Sequence, residues 1–186
     1  VVSAPGRFAP RRVAAAVSLV DLLPTLLDLA TDGQPPDWVA PIDGQSLLPL
    51  VTGADDGVDR CVVAEYSSEG VCAASRMVRQ GRWKYIFTHG LPPMLFDLQA
   101  DPDELVNRAG QPDCAADEQR LHARLVQDWD PPAVHARILA SQRQRLFLAD
   151  VAARAPALPN WAFQPFVDES QRFIRGAGGA GPTSVK

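Results

Sequence analysis

Apolar positions change their period twice along the chain, and the changes mark out its elements. Between residues 18 and 30, Leu19, Leu22, Leu23, Leu26, Leu27 and Ala30 recur at helical spacing and form a wide apolar face. Ser18 with Asp21 three residues on has the form of an N-terminal cap, and Pro24 is expected in the early part of this helix or at a kink. A helix so apolar needs other structure to cover it. Residues 33–41 read as a loop with two prolines, and residues 43–50 as a turn and a short helical piece. From Cys61 the pattern becomes that of strands. Residues 61–66, 75–78, 82–87 and 95–98 have strand composition, and Arg79-Gln80-Gly81-Arg82 reads as a tight hairpin in which Gly81 supplies a positive φ. With no helix between the last three, these strands predict a small antiparallel sheet with one face covered.

Past Asp101-Pro102-Asp103-Glu104 the period is helical again, with Leu121, Leu125 and Trp129 four residues apart within residues 115–129. Asp130-Pro131-Pro132 is expected to end that helix. A second helix over residues 134–153 is apolar at its two ends and polar on every side at Ser141-Gln142-Arg143-Gln144-Arg145. Residues 156–165 are expected to be extended and to carry Trp161 and Phe163, with Phe166 just beyond, and the glycine-rich residues 176–186 to be disordered. An extended arm cannot bury three aromatic rings by itself. It must lay them on its own subunit, on a neighbouring subunit or at the mouth of an active site, and oligomer contact is the favoured use.

Composition narrows the function classes. A net charge of −4 argues against a nucleic-acid partner, because phosphate binding needs a concentrated excess of Lys and Arg. That weakens a reading of the two helices as a DNA-binding pair. No apolar run approaches the roughly 20 residues that cross a bilayer. Cys61, Cys72 and Cys114 are odd in number and lack ligand spacing, so they read as buried or half-buried thiols in a reducing compartment. His89 lies in a loop flanked by Gly and Pro, where a side chain can reach a site, while His122 and His135 read as surface residues.

Two blocks carry a family resemblance. Val17-Ser18-Leu19-Val20-Asp21-Leu22-Leu23-Pro24-Thr25-Leu26-Leu27-Asp28-Leu29-Ala30 followed by Asp43-Gly44-Gln45-Ser46-Leu47-Leu48-Pro49-Leu50 resembles the stretch that closes the large domain of type I sulfatases. Met77-Val78-Arg79-Gln80-Gly81-Arg82-Trp83-Lys84-Tyr85-Ile86, with Leu95-Phe96-Asp97-Leu98, Asp101-Pro102-Asp103-Glu104 and Asn107, resembles their small C-terminal sheet domain. Phosphonate monoester hydrolases share both blocks. The third block, Ser141-Gln142-Arg143-Gln144-Arg145 and Trp161-Ala162-Phe163-Gln164-Pro165, resembles the C-terminal extension of choline-sulfatases, and Thr88-His89-Gly90 agrees with it. The match departs at Gln144 and Ala162, where that family's pattern has Arg and Asp.

The resemblance implies an α/β parent of which this chain would be the C-terminal third, beginning mid-protein at Val1. On that view residues 1–57 end the large sulfatase domain, 58–112 form a small α+β subdomain, an antiparallel sheet with helices, 113–175 a helical extension and arm, and 176–186 a tail. It implies a cytoplasmic, oligomeric hydrolase converting choline O-sulfate to choline and sulfate, on a route to glycine betaine. Such an enzyme uses a formylglycine and a divalent cation, calcium. Neither the CxPxR-like precursor motif nor the paired Asp ligands occur in this sequence, so no catalytic or metal residue is assigned and the chain alone is expected to be inactive. What it can supply is part of a pocket. A quaternary ammonium has no hydrogen to donate and is held by aromatic faces and a carboxylate. Glu65 is the first candidate for the carboxylate, with a salt-bridged strand-end role as the alternative. Tyr66 is a pocket wall or core, and His89 a further pocket candidate. Arg143, Arg145, Trp161, Phe163 and Phe166 are candidates for the oligomer contact or the pocket rim. Two alternatives stand beside this reading, a related phosphonate or phosphodiester hydrolase and a stand-alone interaction module.

Overall fold

The computed structural model describes residues 2–34, 40–68 and 70–154. They divide between two compact units, Val1–Ala140 and Ser141–Lys186. The first unit opens with a 3-10 turn, Leu19–Asp21, running into α1, Leu22–Thr31. Pro24 falls early in α1, where the missing N–H costs little. Thr25 is buried and ties α1 to the loop before α2, Leu48–Thr52: its hydroxyl donates to the Asp21 carbonyl at 2.6 Å and accepts from the Leu47 N–H at 2.8 Å. Gly44 lies against the same turn at φ +92°, and a Cβ there would meet the Val20 carbonyl oxygen at 2.5 Å. The leucine face of α1 is largely uncovered, with Leu19, Leu23 and Leu26 all more than half exposed.

The strands form one antiparallel sheet in the order β1 (Cys61–Tyr66), β2 (Ser75–Gln80), β3 (Trp83–Thr88), β4 (Met94–Asp97). Gln80 pairs with Trp83, so the β2–β3 hairpin turns on Gly81-Arg82 alone. Gly81 has φ +56° and Arg82 does not share it, which is the pattern of a type II′ turn. Registers place Val63, Val78, Tyr85 and Leu95 side by side across the sheet. This row faces α3, Ala115–Val126, whose Leu121 and Leu125 are fully buried, and Trp129 beyond the helix closes the core. The expected sheet with one face covered by helix is therefore what forms.

Two local expectations are corrected. The prolines after Asp130 do not merely stop a helix; they open α4, Pro131–Ala153, at its first two positions. Asp130 caps it, its carboxylate accepting from Ala133 N at 3.0 Å. Val134 and Ile138 of α4 pack on the core of the first unit. From Ser141 to Asp150 every residue of α4 is exposed. Cys61 is half-buried and Cys114 buried as expected, but Cys72 is exposed, because it lies in the irregular segment between β1 and β2; all three are free thiols. The expected extended arm and the tail from residue 176 lie outside the described residues.

Candidate functional site

Strand alternation decides which candidates can meet. Glu65 and Tyr66 are consecutive on β1, so their side chains leave opposite faces of the sheet. Glu65 pairs in register with Arg76 on β2 and shares its face. Tyr66 is half exposed on the other face, so it is not core. Thr88 pairs with Ser75, which pairs with Tyr66, so His89 lies at the same end of the sheet. The His89 N–H donates to the Ala74 carbonyl at 2.9 Å, and its ring lies 5.1 Å from that of His135 on α4. The structure thus gathers Glu65, Tyr66 and His89 at one end of the sheet without aiming them into one pocket.

Glu65 lines a polar cleft of about 580 Å³, together with Asp21, Gly44, Arg60, Arg76 and Asp128. Two ion-pair systems build it. Asp21, on the turn before α1, is buried and accepts from Ser18 N at 2.8 Å, Gln45 N at 2.9 Å and the Arg60 guanidinium at 2.7 Å. Burial works against the Asp21 charge, yet the two N–H donors and Arg60 together hold its carboxyl below the ordinary 3.8. Arg76, buried on β2, is the second centre. It donates to the Leu125 carbonyl at 2.8 Å and to Asp128 at 2.6 Å, approaches Glu65 at 3.4 Å, and lies 5.8 Å from the centre of the Trp129 ring. The hydrogen bond from Arg76 draws the Asp128 carboxyl below its ordinary value.

This arrangement fixes what the cleft can do. Glu65 is half exposed and its carboxylate is already shared with Arg76, so a cationic ligand would meet a partly neutralised partner. No aromatic ring lines the cleft among the described residues. Any aromatic wall must come from elsewhere in the assembled protein. Among the described residues no three His, Cys, Asp or Glu side chains gather as a metal site, so the cation implied by the family resemblance finds no ligand set among them. No helix among them is long and apolar enough to cross a membrane.

Arg143 and Arg145 are exposed on α4 in the second unit. Trp161, Phe163 and Phe166 lie outside the described residues. The sequence reading missed the buried pair Asp21–Arg60 and the Arg76 cluster. Asp21 was visible there only as a helix cap and Trp129 only as the end of an apolar row. His122 and His135, read as surface residues, are half-buried: His122 Nδ1 lies 3.1 Å from the Tyr85 hydroxyl, and the Nδ1 of His135 is enclosed.

Residues 1–130 match the family model described as N-sulphoglucosamine sulphohydrolase, C-terminal. The chain belongs to this sulfatase C-terminal family. Residues 136–179 further match the model described as choline sulfatase enzyme C terminal. The choline-sulfatase of Rhizobium meliloti (strain 1021) is 36% identical over an alignment of 181 residues that covers 94% of this chain and 34% of that protein. Arylsulfatase K of Gallus gallus is 43% identical over an alignment of 119 residues that covers 59% of this chain and 22% of that protein. This sulfatase region therefore spans about a third or less of the length of these relatives. Its fold is also that of part of the phosphonate monoester hydrolase of Agrobacterium radiobacter, with a TM-score of 0.50 and 30% identity over 63% of this chain and 25% of that one.

Proposed function

We propose that this sulfatase region belongs to an enzyme that hydrolyses choline O-sulfate to choline and sulfate, and that it contributes subunit assembly and part of the substrate pocket. The observation that carries the substrate is the reach of the likeness. Arylsulfatase K aligns with 59% of the chain in Gallus gallus and 79% in Xenopus laevis, whereas the choline-sulfatase likeness runs through 94% of it and has its own family match over residues 136–179. The family match over residues 136–179 is thus what favours the choline ester, and that stretch carries Arg143, Arg145, Trp161, Phe163 and Phe166.

In the whole enzyme a formylglycine would supply the nucleophilic hydroxyl and a divalent cation, calcium, would stabilise charge on the sulfuryl oxygens, both held by residues outside this chain. The chain's own part is binding and support. Glu65, oriented by Arg76, offers a carboxylate at the end of the sheet, Tyr66 and His89 stand beside it, and the arm offers aromatic faces for a quaternary ammonium or for a neighbouring subunit. On this reading the enzyme works in the cytoplasm, and the chain alone would turn over no ester.

The deciding experiment compares turnover by the full-length protein of choline sulfate, an aryl sulfate and a phosphonate monoester. The expected result is a kcat/KM for choline sulfate at least tenfold above both others, that is roughly 1.4 kcal/mol or more of transition-state discrimination. Equal or higher kcat/KM on the phosphonate ester would transfer the assignment to the activity named for the Agrobacterium neighbour. Equal or higher kcat/KM on the aryl sulfate would end the choline reading.

A further inference from the structure

A groove of about 480 Å³ lies between α3 and the β3–β4 edge, away from the residues of the polar cleft. Tyr85, Phe87 and Pro93 line it from the sheet side. From α3 come Ala115, Glu118, Gln119, His122 and Ala123, spaced three and four apart so that one stripe of the helix faces the groove. The aromatic walls are held in place. The His122 ring stands nearly perpendicular to Tyr85 and lies 5.5 Å from Phe87, and its Nδ1 is 3.1 Å from the Tyr85 hydroxyl. Glu118 is also fixed, because its carboxylate accepts from the Gly110 N–H at 2.8 Å.

The lining contains aromatic rings and one carboxylate but no Lys or Arg. Its charge reaches the rings: the Tyr85 hydroxyl is pushed up to about 12, first by burial and then by the negative charge of Glu118. An anion would meet Glu118 unpaired. A neutral apolar molecule would gain only the burial of its own surface. A cation without strong hydrogen-bonding needs gains from the ring faces and the carboxylate together.

We propose that this groove binds a compact organic cation of the alkylammonium type, held by the rings of Phe87 and His122 and by the Glu118 carboxylate. The site does not depend on the substrate assigned above.

The test is an NMR titration of the full-length protein, selectively labelled at histidine, with tetramethylammonium chloride at constant ionic strength. The His122 resonance is assigned with His122→Gln, and neopentyl alcohol serves as the neutral counterpart of the cation. Two variants probe the charge. Glu118→Gln keeps an acceptor for Gly110, and Gln119→Lys adds a cation at an exposed rim position, so both are expected to keep the wild-type fold. A saturating shift of His122 is expected in the wild type, weakened roughly 3- to 30-fold in both variants. A His122 resonance unmoved by the cation, moved equally by the neutral alcohol, or titrating unchanged in both variants would overturn the proposal. Binding of tetramethylammonium elsewhere in the enzyme would leave His122 still and so count against it.

Discussion

Burial separates two ion pairs that look alike as lists of contacts. Asp21 and Arg60 are both enclosed, their side chains 4% and 10% exposed, whereas Arg76 is enclosed but its partners Glu65 and Asp128 are half exposed or more. Replacing Asp21 by Ala strands a buried guanidinium and two N–H donors, at a cost of about 3–5 kcal/mol. Replacing Arg76 by Met leaves two carboxylates that water can reach and one carbonyl without its donor, at about 1–3 kcal/mol. Urea denaturation of the two variants is expected to rank them in that order, and the reverse order would mean that the Arg76 cluster, which ties the sheet to the end of α3, outweighs the Asp21–Arg60 pair. The Asp21 carboxyl is depressed in the folded state, so its contribution is complete above the unfolded value near 3.8 and is lost as pH falls through the lower folded one. Asp21→Ala should therefore flatten the acid limb of stability against pH, measured below about pH 4.

At the scale of elements, the sheet was legible because its signals are local. Strand composition in residues 61–66, 75–78 and 82–87, with the Gly81 turn, placed three strands to within two residues of the observed bounds. What the pattern left out was pairing across long separations: Arg76 reaches Asp128 across 52 positions and Arg60 reaches Asp21 across 39, and no periodicity encodes such contacts. The candidate site was legible only in part for the same reason. Glu65 was found as a strand-end carboxylate, but its neutralising partner was hidden in a strand that read as ordinary. Helices α1 and α3 carry opposite predictions. Leu125 is fully buried beneath the sheet, so Leu125→Ala is expected to cost about 2–5 kcal/mol in the same denaturation experiment. Leu23 and Leu26 on α1 are more than half exposed, so in the 186-residue chain on its own the pair Leu23→Ser and Leu26→Ser should lower light scattering rather than stability. Unchanged scattering would mean that the leucine face does not drive self-association.

For the molecule as a whole, the question is what the second unit is for. From Ser141 to Asp150 α4 exposes every residue, and Leu146, Phe147 and Leu148 are each more than 60% exposed while adjacent in sequence. Three consecutive helical positions span about 200° of arc, more than one facing helix covers. Such a segment needs cover, from the rest of the enzyme or from a neighbouring subunit, and Arg143 and Arg145 at its border suit the rim of an interface better than its centre. The proposed role in assembly therefore makes a definite prediction for the full-length protein. Ending the chain after Arg154 removes the aromatic arm but leaves the described fold, so thermal unfolding should change little while the mass in sedimentation falls to that of a smaller assembly. Replacing Phe147 and Leu148 together by Gln should act in the same direction, because both are exposed and neither supports the core. Activity then separates the two uses of the arm. If it serves assembly alone, the dissociated enzyme keeps its KM for choline sulfate; a KM raised tenfold or more at unchanged kcat would place the aromatic residues in the pocket, as uniform binding lost. An unchanged mass in both variants would remove the second unit from assembly altogether.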